Sequence, residues 1–242
     1  MSTAVRPPVP RPDAAPGPWG EWPLLLLSAA SGSADAFAFL CVGQVFAGVM
    51  TGNLVLLGIS ATGAGEHGVV IRVVTALLAY GAGVACGAWM EGRPKWPLPV
   101  MLLAEVALLA TASALWALGP AGSAGGRTAL LALTAVAMGI QGRIRSTPTN
   151  YFTGTLTGLV GRAALRSWGR GDLWVAGRLV AVAAGAAATA VTGHLWPGAA
   201  AAGAALLVEN RHRVRFRHRD VPAGSREPGP DAPGRGRGDT PA

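Results

Sequence analysis

VVIRVVTALLAYGAGVACGAWM occupies residues 69–90 and holds a single charge, Arg72, in twenty-two positions. Helix rise is about 1.5 Å per residue and the hydrocarbon core of a bilayer is about 30 Å thick, so this run is long enough to cross one. Gly83 and Gly87 form a GxxxG pair, flanked by Ala82, Ala85 and Ala88. Small residues at that spacing let two helix backbones approach closely in lipid, where apolar burial supplies little drive. A membrane-crossing helix packed through glycine and alanine is therefore the unit to look for on either side.

Working outward, Trp22–Val42, Leu98–Leu118, Thr128–Gln141, Leu173–Thr192 and Leu195–Val208 are further apolar runs. Two shorter Gly/Thr-rich stretches, Phe46–Ser60 and Tyr151–Leu165, lie between them. Charged residues are 13% of the 242-residue chain, about half the usual share for a soluble domain, and mean hydropathy is +0.40 even with polar ends. The expected fold is an all-α, polytopic transmembrane bundle of about six spans with two short broken or re-entrant Thr-Gly segments. Residues 1–21 and 209–242 are rich in Pro, Arg, Asp and Gly, and read as disordered cytoplasmic tails around a membrane domain at 22–208. Leu24–Ala30 followed by Ala34-Asp35-Ala36 imitates a cleavable signal, but a Pro-rich 23-residue lead and the spans that follow favour a retained first helix.

Charge decides between six and eight crossings. With the N-terminus cytoplasmic and both short stretches returning to the side they left, Arg93, Lys95, Arg143, Arg145, Arg162, Arg166 and Arg170 all fall inside. So does the C-terminal run Arg211, Arg213, Arg215, Arg217 and Arg219, while only Arg72 and Arg127 fall outside. Eight crossings would move four of these cations outside, against the positive-inside bias of plasma-membrane proteins. The expected location is thus the bacterial plasma membrane with both termini cytoplasmic. The net charge of +8 is read as topology and as contact of the arginine run with anionic lipid headgroups, and no nucleic-acid partner is expected.

Six crossings make three per half, 22–118 and 127–208, in opposite orientations. Met50-Thr51-Gly52-Asn53-Leu54 resembles Phe152-Thr153-Gly154-Thr155-Leu156, 102 residues later. Each follows a helix with a polar residue near a glycine, Gly32/Asp35 and Gly139/Gln141. An inverted 3+3 repeat with Gly-interrupted segments is a signature of secondary transporters.

The candidate substrate- or ion-binding residues follow from this: Asp35, Thr51, Gly52, Asn53, Gln141, Thr153, Gly154 and Thr155. A carboxylate within an apolar helix costs about 2.5–3.5 kcal/mol on insertion scales, so Asp35 must face a partner, a cavity or water. A proton or cation site and a cap for backbone loosened by Gly32 are equal readings. The two Thr-Gly segments read either as ligand-lining unwound backbone or as tight connections, with Asn53 as a cap. Gln44, Gln141, Thr149 and Asn150 are polar neighbours of these segments. Glu105 is expected to pair with an arginine or snorkel. The eight tryptophans mark span ends. Cys41 and Cys86 read as packing residues, no cofactor or metal is expected, and the absence of nucleophile, P-loop and HExxH patterns argues against an enzyme.

Gly32-Ser33-Ala34-Asp35-Ala36, Phe46 with Met50-Thr51-Gly52-Asn53, Ala137-Met138-Gly139-Ile140-Gln141 and Phe152 through Thr157 together resemble the YoaK-like family of bacterial membrane proteins. The resemblance covers residues 22–208 and implies a six-span membrane fold without an established substrate. One position departs: an asparagine usual after the Gly-x-Gln element is Gly142 here. The reading carried forward is a secondary transporter or permease for a small solute or ion. Its competitor is a non-transporting scaffold or accessory subunit, and a second copy of the chain is a candidate partner for the glycine faces.

Overall fold

In the computed structural model of the chain, residues 22–65, 68–93, 98–119, 123–144 and 152–192 are described. The tails at 1–21 and 209–242, the expected span Leu195–Val208, the arginine run, and Lys95, Arg145, Thr149 and Asn150 lie outside them. Among the described residues every regular element is helical. These are α1 Trp22–Phe37, continued by a π-helical segment Ala38–Gly43, then α2 Met50–Ala61, α3 Val69–Glu91, α4 Leu98–Ala117, α5 Ala124–Gln141, α6 Phe152–Ala164 and α7 Arg170–Val191. Four of them are long and apolar enough to cross a membrane: α1 with its π segment, α3, α4 and α7. α5 starts four residues earlier than the hydropathy boundary at Thr128, because Ser123 caps it, its hydroxyl accepting from Gly126 N–H at 3.0 Å.

α2 and α6 have 12 and 13 residues, about 18–20 Å of helix, too short for a ~30 Å hydrocarbon layer. Contacts at their flanks show where each returns. The side chain of Arg72, in the first turn of α3, lies on Gly43 at the end of the π segment, where a Cβ would stand 2.6 Å from Arg72 Cδ. The chain therefore re-enters α3 at the end where it left α1. At the opposite end, Gln141 Nε2 donates 2.7 Å to the Leu27 carbonyl, and Trp174 packs edge-on against Trp22 at 5.5 Å. The end of α5 and the start of α7 thus both sit beside the first turns of α1. α2 belongs to one end of the bundle and α6 to the other.

Two tight helix pairs form the frame. α1 runs parallel to α7, joined by the Trp22–Trp174 contact and by the hydroxyls of Ser33 and Thr189 at 2.6 Å. α3 runs parallel to α5, and their C-terminal ends are joined by Glu91 and Arg143 at 2.5 Å. Glycine makes both crossings possible. A Cβ on Gly32 would strike the Val182 carbonyl, and one on Gly185 the Ala29 carbonyl. In the second pair, Gly83 lies on the Val136 carbonyl and Gly139 on that of Tyr80. α4 packs beside α5, with Trp116 edge-on to Phe37 at 5.4 Å. The outward faces of α3, α4 and α7 carry exposed Ile71, Leu78, Leu103, Leu173 and Val180, as a lipid environment requires.

Candidate functional site

The polar residues singled out by sequence fall into separate groups. Asp35 and Asn53 form the first. The chain leaves the π segment through Gly43 (φ +151°) and Gln44 (φ +58°), whose N–H bonds Phe39 carbonyl at 3.0 Å. It then turns back towards α2, whose N-cap residue is Val49, a side chain with no acceptor. Asp35, from α1, holds instead the turn that leads into that helix. Its Oδ1 accepts from Gly48 N–H at 2.7 Å. The carboxyl group thus stands just ahead of the α2 N-terminus, where the helix dipole favours negative charge. A Cβ on Gly48 would lie in ordinary contact with Asp35 Oδ2 and Met138 Cγ, at 3.4 and 3.6 Å.

Thr51-Gly52-Asn53 grips Phe46. Asn53, 0% exposed, accepts from Phe46 N–H at 2.9 Å and donates to Phe46 carbonyl at 2.7 Å, closing both backbone groups of a residue outside any helix. Gly52 leaves room for the ring, since a Cβ would stand 3.1 Å from two carbons of Phe46. Phe46 in turn stacks on Phe39 at 5.2 Å. Thr51 itself is exposed. The loop 44–49 is thus held from below by Asp35 and from the side by Gly52 and Asn53.

Gln141 belongs elsewhere. It is 1% exposed and holds the Leu27 carbonyl across α5 and α1, near the other end of α1. Thr153 and Gly154 are exposed on α6, Thr155 is half-buried, and no atom outside its own helix lies within 4 Å of a Cβ at Gly154. The second Thr-Gly segment is therefore helical like the first without the same grip among the described residues. Its helix is anchored instead by Arg162, which pairs with Asp172 at 2.6 Å, while Asp172 also accepts from Gly169 N–H at 2.8 Å. The structure does not gather Asp35, Gln141 and the two Thr-Gly segments into one cluster.

Two charged residues differ from the sequence reading or escaped it. Among the described residues Glu105 neither pairs with an arginine nor snorkels: it is 1% exposed, and neither carboxyl oxygen has a hydrogen-bond partner there. The stripe Met101, Leu102, Leu109 and Ala112 on the same face of α4 is buried with it, which turns the carboxyl inward. Arg178, two turns into α7 and half-buried, does not stand out in the sequence, because one charge barely changes the hydropathy of a long run. Tryptophans do mark helix ends, with Trp22, Trp89, Trp116 and Trp174 within a turn or so of a terminus and Arg93 seated 3.8 Å over the Trp89 ring. No group of three or more His, Cys, Asp or Glu side chains suited to a metal occurs among the described residues.

Comparison with known proteins places this arrangement. The chain is similar to the UPF0700 transmembrane protein YoaK of Bacillus subtilis (strain 168), 38% identical over 80 residues. That alignment spans 32% of this chain and 35% of the relative, so about a third of either is compared. No solved structure matches. The family model described as "Protein of unknown function (DUF1275)" matches residues 23–208, which takes in every helix described above, and the chain belongs to this family of membrane proteins.

Proposed function

We propose that this membrane protein is a permease for a small solute or ion, not an enzyme, built as six crossings in two inverted halves, 22–118 and 127–208. The observation that carries the reading is the repetition of one helix crossing. Gly32 on Val182 and Gly185 on Ala29 define the α1–α7 crossing, and Gly139 on Tyr80 and Gly83 on Val136 define the α3–α5 crossing. Gly139 and Val136 follow Gly32 and Ala29 by 107 residues, and Val182 and Gly185 follow Tyr80 and Gly83 by 102. The same shifts carry the Ser33–Thr189 contact onto Ile140 and Gly87, where a Cβ on Gly87 would lie 3.4 Å from Ile140 Cα. Thr51-Gly52 and Thr153-Gly154 share the 102-residue shift.

The halves are inverted because α5, the counterpart of α1, ends beside the first turns of α1. Their short helices accordingly sit at opposite ends of the bundle. Both crossings join one half to the other, so a rocking of halves would work at these glycine contacts, as in alternating access. In the bilayer the Arg93 and Arg143 end faces the cytoplasm of a bacterial cell, as the positive-inside bias asks. The arginine run beyond residue 209 then meets anionic headgroups.

The test uses the whole chain in liposomes, with Cys41 and Cys86 first replaced by alanine. Osmotic swelling and a pH-sensitive dye follow a panel of small ions and neutral solutes. Flux above that of empty vesicles is expected. A disulfide between Ser33→Cys and Thr189→Cys should stop it, and a reductant should restore it. Absence of flux across the panel, with a protein co-purifying in fixed ratio, would establish the scaffold instead. That second reading is favoured by one observation: Asp35 and Asn53 spend hydrogen bonds on the backbone rather than lining a shared cavity.

A further inference from the structure

Glu105 is the one buried carboxyl group whose oxygens both lack a hydrogen-bond partner among the described residues. It lies on α4 between Leu102 and Leu109, both fully buried. Leu102 packs against Leu27 of α1, with Leu26, Leu98, Val106 and Ile144 around them. Met101, one turn before Glu105, packs against Met90 of α3 and Ile140 of α5. The carboxyl therefore sits on the apolar face of α4 that meets three other helices.

An isolated ionised carboxylate in such surroundings is prohibitively costly, and the group takes up a proton instead. The charged side chains of the packed elements are engaged or distant in the fold. Asp35 of α1 holds Gly48, Arg72 of α3 lies on Gly43, and Glu91 of α3 pairs with Arg143 after α5. Arg127 occupies the first turn of α5, at the end of the bundle away from Gln141. Even the neutral acid leaves a buried donor without an acceptor among the described residues, which is unfavourable. An apolar residue of similar size would pack there without that cost.

We propose that Glu105 is a proton-binding site, holding its proton in the closed packing of α4 on α5 and exchanging it when those helices part and admit water. No metal, cofactor or second acid takes part: the O–H bond of the carboxyl breaks, the proton passes to water, and the carboxylate left behind is hydrated in the opened state. Service of this site as the coupling group for transport rests on the permease reading.

The test takes the full chain in liposomes and treats it with dicyclohexylcarbodiimide at neutral pH. This apolar reagent adds to protonated carboxyl groups in lipid and leaves a stable N-acylurea, located by peptide mass spectrometry. Labelling at Glu105 is expected, with loss in Glu105→Gln and retention in Asp35→Asn. In parallel, the infrared band of a protonated carboxyl should be present in the wild type and absent from Glu105→Gln and Glu105→Met. A wild-type spectrum identical in this band to both variants, together with an unlabelled Glu105, would overturn the proposal. Proton movement is then read with the pH dye. Labelled Glu105 with solute flux insensitive to a proton gradient removes it from coupling, and labelled Glu105 with no flux at all fails the permease reading while the proton site stands.

Discussion

Adding one methyl group at Gly32 should cost the fold more than the same addition at Gly81, although both glycines lie within long apolar helices. In Gly32→Ala the new carbon would stand 2.8 Å from the Val182 carbonyl carbon and nearer still to its oxygen. Non-bonded carbons rest at about 3.5–4.0 Å, so α1 and α7 must part by at least ~0.7 Å where they cross. The obstacle is backbone, which cannot swing away as a side-chain tip can. Overpacking of this kind costs about 1–3 kcal/mol. In water the gain in helix propensity from Gly to Ala, about 1 kcal/mol, would offset part of this. Here the offset largely vanishes, because helices persist in the membrane when their packing is lost. Gly185→Ala meets the Ala29 carbonyl carbon at the same 2.8 Å, Gly139→Ala meets Val84 N at 2.8 Å, and Gly83→Ala meets Val136 C at 3.0 Å. Nothing lies within 4 Å of a Cβ at Gly81 or Gly161, so those variants should stay within about 0.5 kcal/mol of the parent.

Unfolding by SDS titration of mixed micelles measures these differences. Tryptophan emission suits the purpose, since Trp22 and Trp174 report the α1–α7 contact directly. Double variants supply the sharper test. Once Gly32→Ala has parted α1 from α7, Gly185→Ala has less left to do, and the pair should cost clearly less than the two single effects combined. Gly32→Ala with Gly139→Ala lies on two crossings and should add to within about 0.5 kcal/mol. Additivity at Gly32/Gly185, or a Gly81→Ala penalty as large as that of Gly32→Ala, would refute the shared-crossing argument.

Asn53→Ala removes both bonds to the Phe46 backbone and should cost about 1–3 kcal/mol in the same titration, and a change under 0.5 kcal/mol would mean the loop does not need that clamp. The two ion pairs should behave differently: Glu91 and Arg143 are half exposed and their double-mutant cycle should yield under about 1 kcal/mol, whereas Arg162→Ala leaves Asp172 with only the Gly169 N–H and should lower the SDS midpoint by more than Arg143→Ala does. Cysteines introduced at Arg93 and Arg143, in a background lacking Cys41 and Cys86, should react with an impermeant maleimide only after permeabilisation. A cysteine at Gly119 should react on intact cells, and the reverse pattern would invert the topology argued from the arginines.

What the sequence made legible was periodic or extreme. Long apolar runs with a single charge apiece (Asp35, Arg72, Glu105 and Arg178) marked α1, α3, α4 and α7 to within a few residues, because span length and the scarcity of charge are set by the bilayer and act on every residue of a helix. The Thr-Gly strings marked where two short elements lie but not their state, since both read as broken or turning backbone and both lie within regular helix, α2 and α6; the GxxxG pair marked a true crossing at Gly83. Where sequence stopped short, the deciding contact joined distant residues. That Asp35 holds the backbone of Gly48, 13 residues on, depends on how the chain folds back through Gly43 and Gln44, which no local pattern encodes. For Glu105 the sequence suggests an arginine partner or a snorkelling side chain, because an acid buried alone is rare. The burial of both oxygens came from Leu102 and Leu109, ordinary in themselves, which turn that face of α4 inward. A residue placed against its own cost in stability, on a helix face that any apolar side chain would fill better, is retained for something other than folding. Glu105→Met is therefore expected to raise the SDS midpoint while abolishing the carbodiimide adduct, and a lowered midpoint would show that the acid serves the packing after all.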